Sequence, residues 1–369
     1  MNGHFTILKK DVASNARLGH LITTHGDVET PCFMPVGTQG TVKAMLPRDL
    51  RDLGCQILLG NTYHLYLRPG HEVIRALGGL HRFMGWDGPI LTDSGGYQVF
   101  SLGAMRKISE EGAQFQSHLD GSSHLLTPEK AVEIQQALGS DIAMTLDECI
   151  PSDATREYVR ASTARTIRWA QRCAAARTRR DQLMFGIIQG GLFEDLRRYC
   201  VEEMAPLPFE GFAVGGLGMG EGEEQLHAIG SFTADLLPVA QPRYLMGVGR
   251  PQDIINGVRA GFDLFDCVIP TRNARNGTLY TWQGKMNIKR AEFAGDSRPL
   301  DGSCGCYCCR NFSRAYLRHL YMAGEILSAQ LNSLHNLYFY HRLMDKCRET
   351  IHSGHAENWT RLWQPSEDA

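Results

Sequence analysis

Three aspartates stand at or just beyond the ends of short apolar runs: Asp93 in PILTDSGG (89–96), Asp147 in DIAMTLDE (141–148) and Asp266 in LFDCVIPT (264–271). A carboxylate so placed is costly unless it is paired or used, and acids with perturbed titration gather at functional sites. Two carboxylates facing one another, without a metal or a redox cofactor, suit displacement at an anomeric carbon. One attacks and forms a glycosyl ester, while the other protonates the leaving group and then deprotonates the incoming nucleophile. Carboxamides end other runs (Gln39, Asn61 and Gln189), and Gly215-Gly216 brings bare backbone close to whatever binds there. Amides and a carboxylate along one rim suit a flat heterocycle with donors and acceptors on its edges. Tyr97, near Asp93, and Met246, at the end of RYLMGVGR (243–250), can sandwich such a ring.

The same residues exclude other chemistries. No lysine at the end of an apolar run suggests a Schiff base, and neither H-x-H nor H-E-x-x-H supplies a catalytic metal. G-x-S-x-G is absent, and the glycines of 215–220 lack the spacing and lysine of a phosphate loop.

A second constellation is Cys304-x-Cys306-x-x-Cys309. Three thiolates from one knuckle with one later imidazole (His335, with His319 and His341 as alternatives) make a closed tetrahedral set, the pattern of structural zinc. Cys308 sits in the knuckle without a ligand role. Basic residues gather nearby. Arg310, Arg314 and Arg318 recur every four positions, which predicts one shared helix face, and Arg272 and Arg275 lie just upstream, so phosphate contact is expected here.

The elements that must position these groups form a series. Eight apolar runs, at 32–39, 56–63, 89–96, 141–148, 184–191, 211–218, 243–250 and 264–271, read as buried parallel strands. Helical segments are predicted between them at 127–139, opened by Thr127-Pro128, and at 155–180, 193–204, 223–236 and 251–260. Strand and helix alternating eight times predicts an α/β (β/α)8 barrel, with a doubly wound open sheet as the alternative. The chain of 369 residues exceeds the roughly 250 of such a barrel. The expected division is a barrel core with an N-terminal hairpin (1–279), an inserted metal subdomain (280–335) opening on a strand–turn–strand, and a C-terminal helix and polar, frayed tail (336–369).

Composition is ordinary for a globular chain, with 43% hydrophobic and 21% charged residues and a net charge of −2, so a polyanion must be held by a local patch. No run is long and apolar enough for a membrane span, the N-terminus lacks a secretory core, and the 11 cysteines read as thiols of a reducing cytoplasm.

Ordered motifs across nearly the whole chain resemble the bacterial tRNA-guanine transglycosylase (queuine tRNA-ribosyltransferase) family. They are MPVGTQGTVK (34–43), LGNTYHLYLRPG (59–70), LTDSGGYQVFSL (91–102), LDECIP (146–151), GIIQGGLF (186–193), AVGGLGMGE (213–221), YLMGVGRP (244–251), FDCVIPTRNARNG (265–277) and the Cys/His set. The resemblance implies the barrel with its zinc subdomain, and it implies roles. Asp266 is the nucleophile toward C1′ of the wobble ribose and Asp93 the general acid/base. Asp147, Gln189, Gly216 and Leu217 read the base edge, Tyr97 and Met246 stack on it, and Cys149 lies in the pocket. Arg272 and Arg275 hold flanking nucleotides, and Cys304, Cys306, Cys309 and His335 hold zinc. The implied partners are the anticodon loop of GUN-anticodon tRNA, guanine and preQ1 (7-aminomethyl-7-deazaguanine), and a second copy of the chain, with Tyr316 and His319 near the dimer interface. Cys149 and Met219 favour preQ1, although GLGMG departs from the common GLAVG. The alternatives are queuine acceptance, a nucleoside or glycoside hydrolase using the same Asp pair, and a non-catalytic RNA-binding module.

Overall fold

In a computed structural model, which describes residues 4–102, 106–355 and 358–363, the eight apolar runs form a closed barrel of eight parallel strands. In chain order these are β1 (Cys32–Gly37), β2 (Leu58–Gly60), β3 (Ile90–Thr92), β4 (Ile142–Met144), β5 (Leu183–Ile188), β6 (Gly211–Val214), β7 (Arg243–Leu245) and β8 (Leu264–Cys267). Each pairs with its sequence neighbour, and β8 closes on β1 with Asp266 opposite Met34. The strands are short, and Asn61, Asp93, Asp147 and Gln189 lie just beyond their C-terminal ends, while Asp266 is still within the β8 ladder.

The five segments expected as helices are helical at Pro128–Leu138, Arg156–Ala176, Glu194–Met204, Glu223–Leu236 and Pro251–Arg259. The first is capped by Thr127, whose side chain accepts from the backbone N–H of Lys130, a contact worth about 1 kcal/mol. Their apolar faces pack on the outside of the barrel. Inside, Met34, Leu59, Leu91, Ile187 and Tyr244 share a second cluster with Leu21 and Val28 of the N-terminal segment. That segment is a three-stranded antiparallel sheet (Phe5–Lys10, Arg17–Thr23, Gly26–Thr30) packed against the strand starts.

Three features differ from expectation or were not foreseen. A three-stranded antiparallel sheet (Arg106–Ile108, Ala113–Gln116, Ser123–Leu126) is inserted between the helix Gly96–Leu102, which follows β3, and the helix Pro128–Leu138. Its strands are too short for their alternation to stand out. The arginines at 310, 314 and 318 do not share one helix, because the helices Tyr307–Asn311 and Arg314–Met322 are separate and Ser313 caps the second. The tail expected to fray is instead anchored over 358–363: Trp359 Nε1 donates to Asp11 at 3.0 Å and Trp363 Nε1 to the Thr281 carbonyl at 2.9 Å. Positions 356–357 and 364–369 of that tail lie outside the described residues.

After β8 come a short helix (Ile269–Arg275) and the hairpin Thr278–Thr281/Gly284–Asn287. The hairpin contributes to a separate apolar cluster that includes Leu279, Ile288, Leu300 and Leu317. The helix Ile326–Ser353 leaves this cluster, crosses position 335 without a break and packs against β1 and the helix Ile269–Arg275. Among the described residues no helix is long and apolar enough to cross a membrane.

Candidate active site and metal centre

A cavity of about 550 Å³ opens at the C-terminal ends of the strands, where barrel enzymes place their chemistry. Asp93, Asp147 and Asp266 all line it, with Tyr97, Cys149, Gly216, Leu217, Met246 and Arg272.

Asp93 follows β3 and is buried. Its Oδ2 accepts from Asn61 Nδ2 and, at 2.9 Å, from Gln98 Nε2; its Oδ1 accepts from the Thr62 backbone N–H at 2.8 Å. Burial pushes its carboxyl up to about 6, against these three bonds, and the nearby Asp266 charge adds to the rise. Asp147 accepts from Ser94 Oγ at 3.0 Å and Gln189 Nε2 at 2.8 Å; burial raises its titration too.

Asp266 sits in β8. Both of its described donors, the Tyr244 hydroxyl at 2.6 Å and the Gly247 backbone N–H at 2.8 Å, reach Oδ1. Oδ2 has no donor among the described residues. The residue is partly open to the cavity, yet protein encloses it deeply enough for desolvation to raise its carboxyl. All described donors to the three carboxylates are neutral: amides, hydroxyls, a thiol and backbone N–H groups. Their ionised forms are therefore held in place but not neutralised.

The residues that the resemblance assigns to the base edge divide in two. Gly216 lines the cavity with φ +69°, a left-handed conformation, and a Cβ there would lie 2.5 Å from Gln189 Oε1; only glycine fits. Gln189 itself is not on the cavity wall. It lies behind the Gly215-Gly216 backbone, 1% exposed, with its amide nitrogen spent on Asp147. Gln39, also noted in the sequence, is exposed and does not line the cavity. Tyr97 stands half-exposed at the rim. Arg272 projects from the helix Ile269–Arg275 into the cavity, whereas Arg275 lies outside its lining; the burial of Arg275, and then Arg272 beside it, lower its titration.

In the C-terminal region the ligand atoms of Cys304, Cys306, Cys309 and His335 all lie within 4.8 Å of one another. The three Sγ atoms stand 3.8, 3.5 and 3.3 Å from His335 Nδ1. His335 Nε2 lies 2.8 Å from the Tyr280 carbonyl, so it carries the proton and turns the Nδ1 lone pair toward the sulfurs. This donor set can hold a metal ion with no open position. His319 is exposed on another helix and His341 is not in the set; Cys308 is buried in the local apolar cluster.

The model of the family described as queuine tRNA-ribosyltransferase matches residues 11–368. The chain belongs to the queuine tRNA-ribosyltransferase family. It is 59% identical over 354 residues to the queuine tRNA-ribosyltransferase of Solidesulfovibrio magneticus, covering 95% of this chain and 94% of the relative. It is 58% identical over 350 residues to that of Pelotomaculum thermopropionicum (95% of each chain), and 53% identical over 363 residues to that of Thermodesulfovibrio yellowstonii (98% of this chain, 94% of the relative).

Within this queuine tRNA-ribosyltransferase family member, several residues that shape the cavity escaped the reading of single positions. Tyr244 holds Asp266, Gln98 holds Asp93, and Ser94 holds Asp147. Each lies inside a motif quoted for the resemblance. A tyrosine amid apolar residues reads as core, and nothing in its spacing points across to the neighbouring strand.

Proposed function

We propose that the chain exchanges the wobble guanine of GUN-anticodon tRNA for preQ1 by two displacements at C1′ of the ribose. The observation that carries this reading is the pair Asp93 and Asp266 on one cavity with different donor sets. The Asp266 carboxylate attacks C1′ through the oxygen free of Tyr244 and Gly247. The bond from C1′ to guanine N9 breaks, and the electron pair leaves with the base, which takes a proton from the Asp93 carboxyl. The incoming base then gives its N–H proton to the Asp93 carboxylate and attacks C1′, releasing Asp266. A group titrating near 6 passes between both states at neutral pH, which a residue serving as acid and then base requires. Removing a base from a single-stranded loop costs only a few kcal/mol.

Asp147, Gly216 and Leu217 are assigned to the base edge, with Gln189 acting through Asp147. Tyr97 and Met246 stack on its faces, and Arg272 and Arg275 hold flanking nucleotides. Cys149 and Met219, both on the cavity wall, support preQ1 over queuine. Zinc on Cys304, Cys306, Cys309 and His335 would fold the region after β8 and take no part in catalysis. We further assign the divisions 1–279, 280–335 and 336–369, a cytoplasmic location, and a homodimer through the face that carries exposed Tyr316 and His319.

The test is incorporation of labelled guanine into GUN-anticodon tRNA, with preQ1 and queuine as competing acceptors. Exchange with preQ1 preferred is expected. Release of guanine without replacement would instead identify a hydrolase.

A further inference from the structure

Behind the cavity wall lies a cation that forms no ion pair among the described residues. Arg197, on the helix Glu194–Met204, is 0% exposed. The buried Arg17 meets Asp263 and the buried Arg177 meets Glu210. Arg197 instead spends its guanidinium on backbone carbonyls: Ile188 at 3.0 Å, Gly191 at 2.9 Å and Gly215 at 2.9 Å. Among the described residues its Nη2 has no partner. Burying a charge without a counter-ion is costly, so the residue must return something that a neutral side chain would not.

What it holds is specific. Ile188 ends β5 and Gly215 follows β6, and one planar fork ties these strand ends together. The Gln189 carboxamide lies between them, 2.8 Å from Asp147. A Cβ on Gly215 would approach it to 2.8 Å and one on Gly216 to 2.5 Å. A rigid fork fixes several acceptors at set angles, which the single ammonium of lysine cannot do. Hydrogen-bond readout tolerates displacements of only about 0.5 Å.

We propose that Arg197 is a positioning residue for base recognition: it locks Gln189 and the Gly215-Gly216 backbone against Asp147, and so sets base affinity and selectivity without touching the base. This rests on the base-exchange reading above.

The test is steady-state kinetics of the full chain with tRNA and free guanine varied in turn, for wild type, Arg197→Lys, Arg197→Met and Gln189→Ala. In Arg197→Lys the KM for guanine should rise on the order of ten-fold. The KM for tRNA and kcat should stay within about two-fold. Preference for guanine over hypoxanthine, which lacks the exocyclic amino group, should fall. The lysine variant keeps the charge and carries the test if Arg197→Met does not fold. A drop in kcat with both KM values unchanged would mean fewer folded molecules and would overturn the proposal. If Gln189→Ala raises the guanine KM and Arg197→Lys does not, the positioning role fails alone. If neither raises it, the base-site reading fails and takes the proposal with it.

Discussion

Two of the barrel strands carry an aspartate at each end, and the two ends are treated in opposite ways. At the start of β4, Asp141 receives His25 at 2.7 Å and His81 at 3.0 Å, with backbone N–H groups from His25 and Ile90. Past its end, Asp147 receives only a serine, an amide and a thiol. At the start of β8, Asp263 is gripped by Arg17; three residues on, Asp266 has a phenol and a backbone N–H. Glu210, before β6, pairs with Arg177 and fits the first pattern. The buried acids at the strand starts have basic partners and fasten the N-terminal sheet and the outer helices. At the strand ends Asp93, Asp147 and Asp266 are oriented by neutral donors alone, so no basic group offsets their charge, whereas buried Glu148 beside Asp147 pairs with Arg165. Burial raises Asp147, whereas at Asp141 burial is outweighed by the His81 and His25 bonds together with the Ile90 N–H and the His81 charge, which lower it.

The contrast is sharpest within β8. Asp266→Asn should lower kcat by about 10⁴-fold and leave stability within about 1 kcal/mol. Asp263→Asn should do the reverse, costing about 3–5 kcal/mol by stranding Arg17 while the folded molecules keep their kcat. Equilibrium unfolding alongside single-turnover assays checks both, and exchanged phenotypes would break the comparison. The Cys/His cluster belongs with the paired acids: chelation or His335→Ala should cost several kcal/mol of stability, read as a lower melting temperature, with the surviving folded enzyme still active.

Acid should act oppositely on the two rims. The carboxyl of Asp93 is raised to about 6 in the fold, from 3.8. Its burial cost is therefore fully present above pH 6 and is relieved as pH falls. Asp141 is lowered, so its contribution is intact above 3.8 and is lost below that value. From pH 7 to 5 the stability gap between Asp93→Asn and wild type should move by about 1 kcal/mol in favour of wild type. Taking the difference cancels the opposing effect of His341, which burial lowers to about 4. The smallest effect is expected at the rim: Tyr97→Phe keeps the ring and should leave kcat/KM within about two-fold, whereas Tyr97→Ala should raise the KM for the base.

Much of this was legible in the residues. Eight apolar runs gave the barrel because buried parallel strands are written as continuous hydrophobic stretches, and Asp93, Asp147 and Asp266 were conspicuous as acids within them. The knuckle spacing disclosed three cysteines of the set that can hold a metal, but left the histidine open among 335, 319 and 341 until the fold brought His335 to them. What stayed hidden depends on cross-strand register. Tyr244 reaches Asp266 from the adjacent strand, and Gln189 lies behind glycines rather than on the wall. The sheet over 106–126 has strands of three or four residues, too short for a period to declare itself. The arginine stripe failed because Ser313 starts a new helix between Arg310 and Arg314.

The central claim is most directly tested by trapping the enzyme with GUN-anticodon RNA under denaturing conditions and mapping the attached residue by mass spectrometry. An RNA–protein adduct on Asp266, absent from Asp266→Asn, is expected. An adduct on Asp93 or Asp147, or turnover by Asp266→Asn at the wild-type rate, would contradict it.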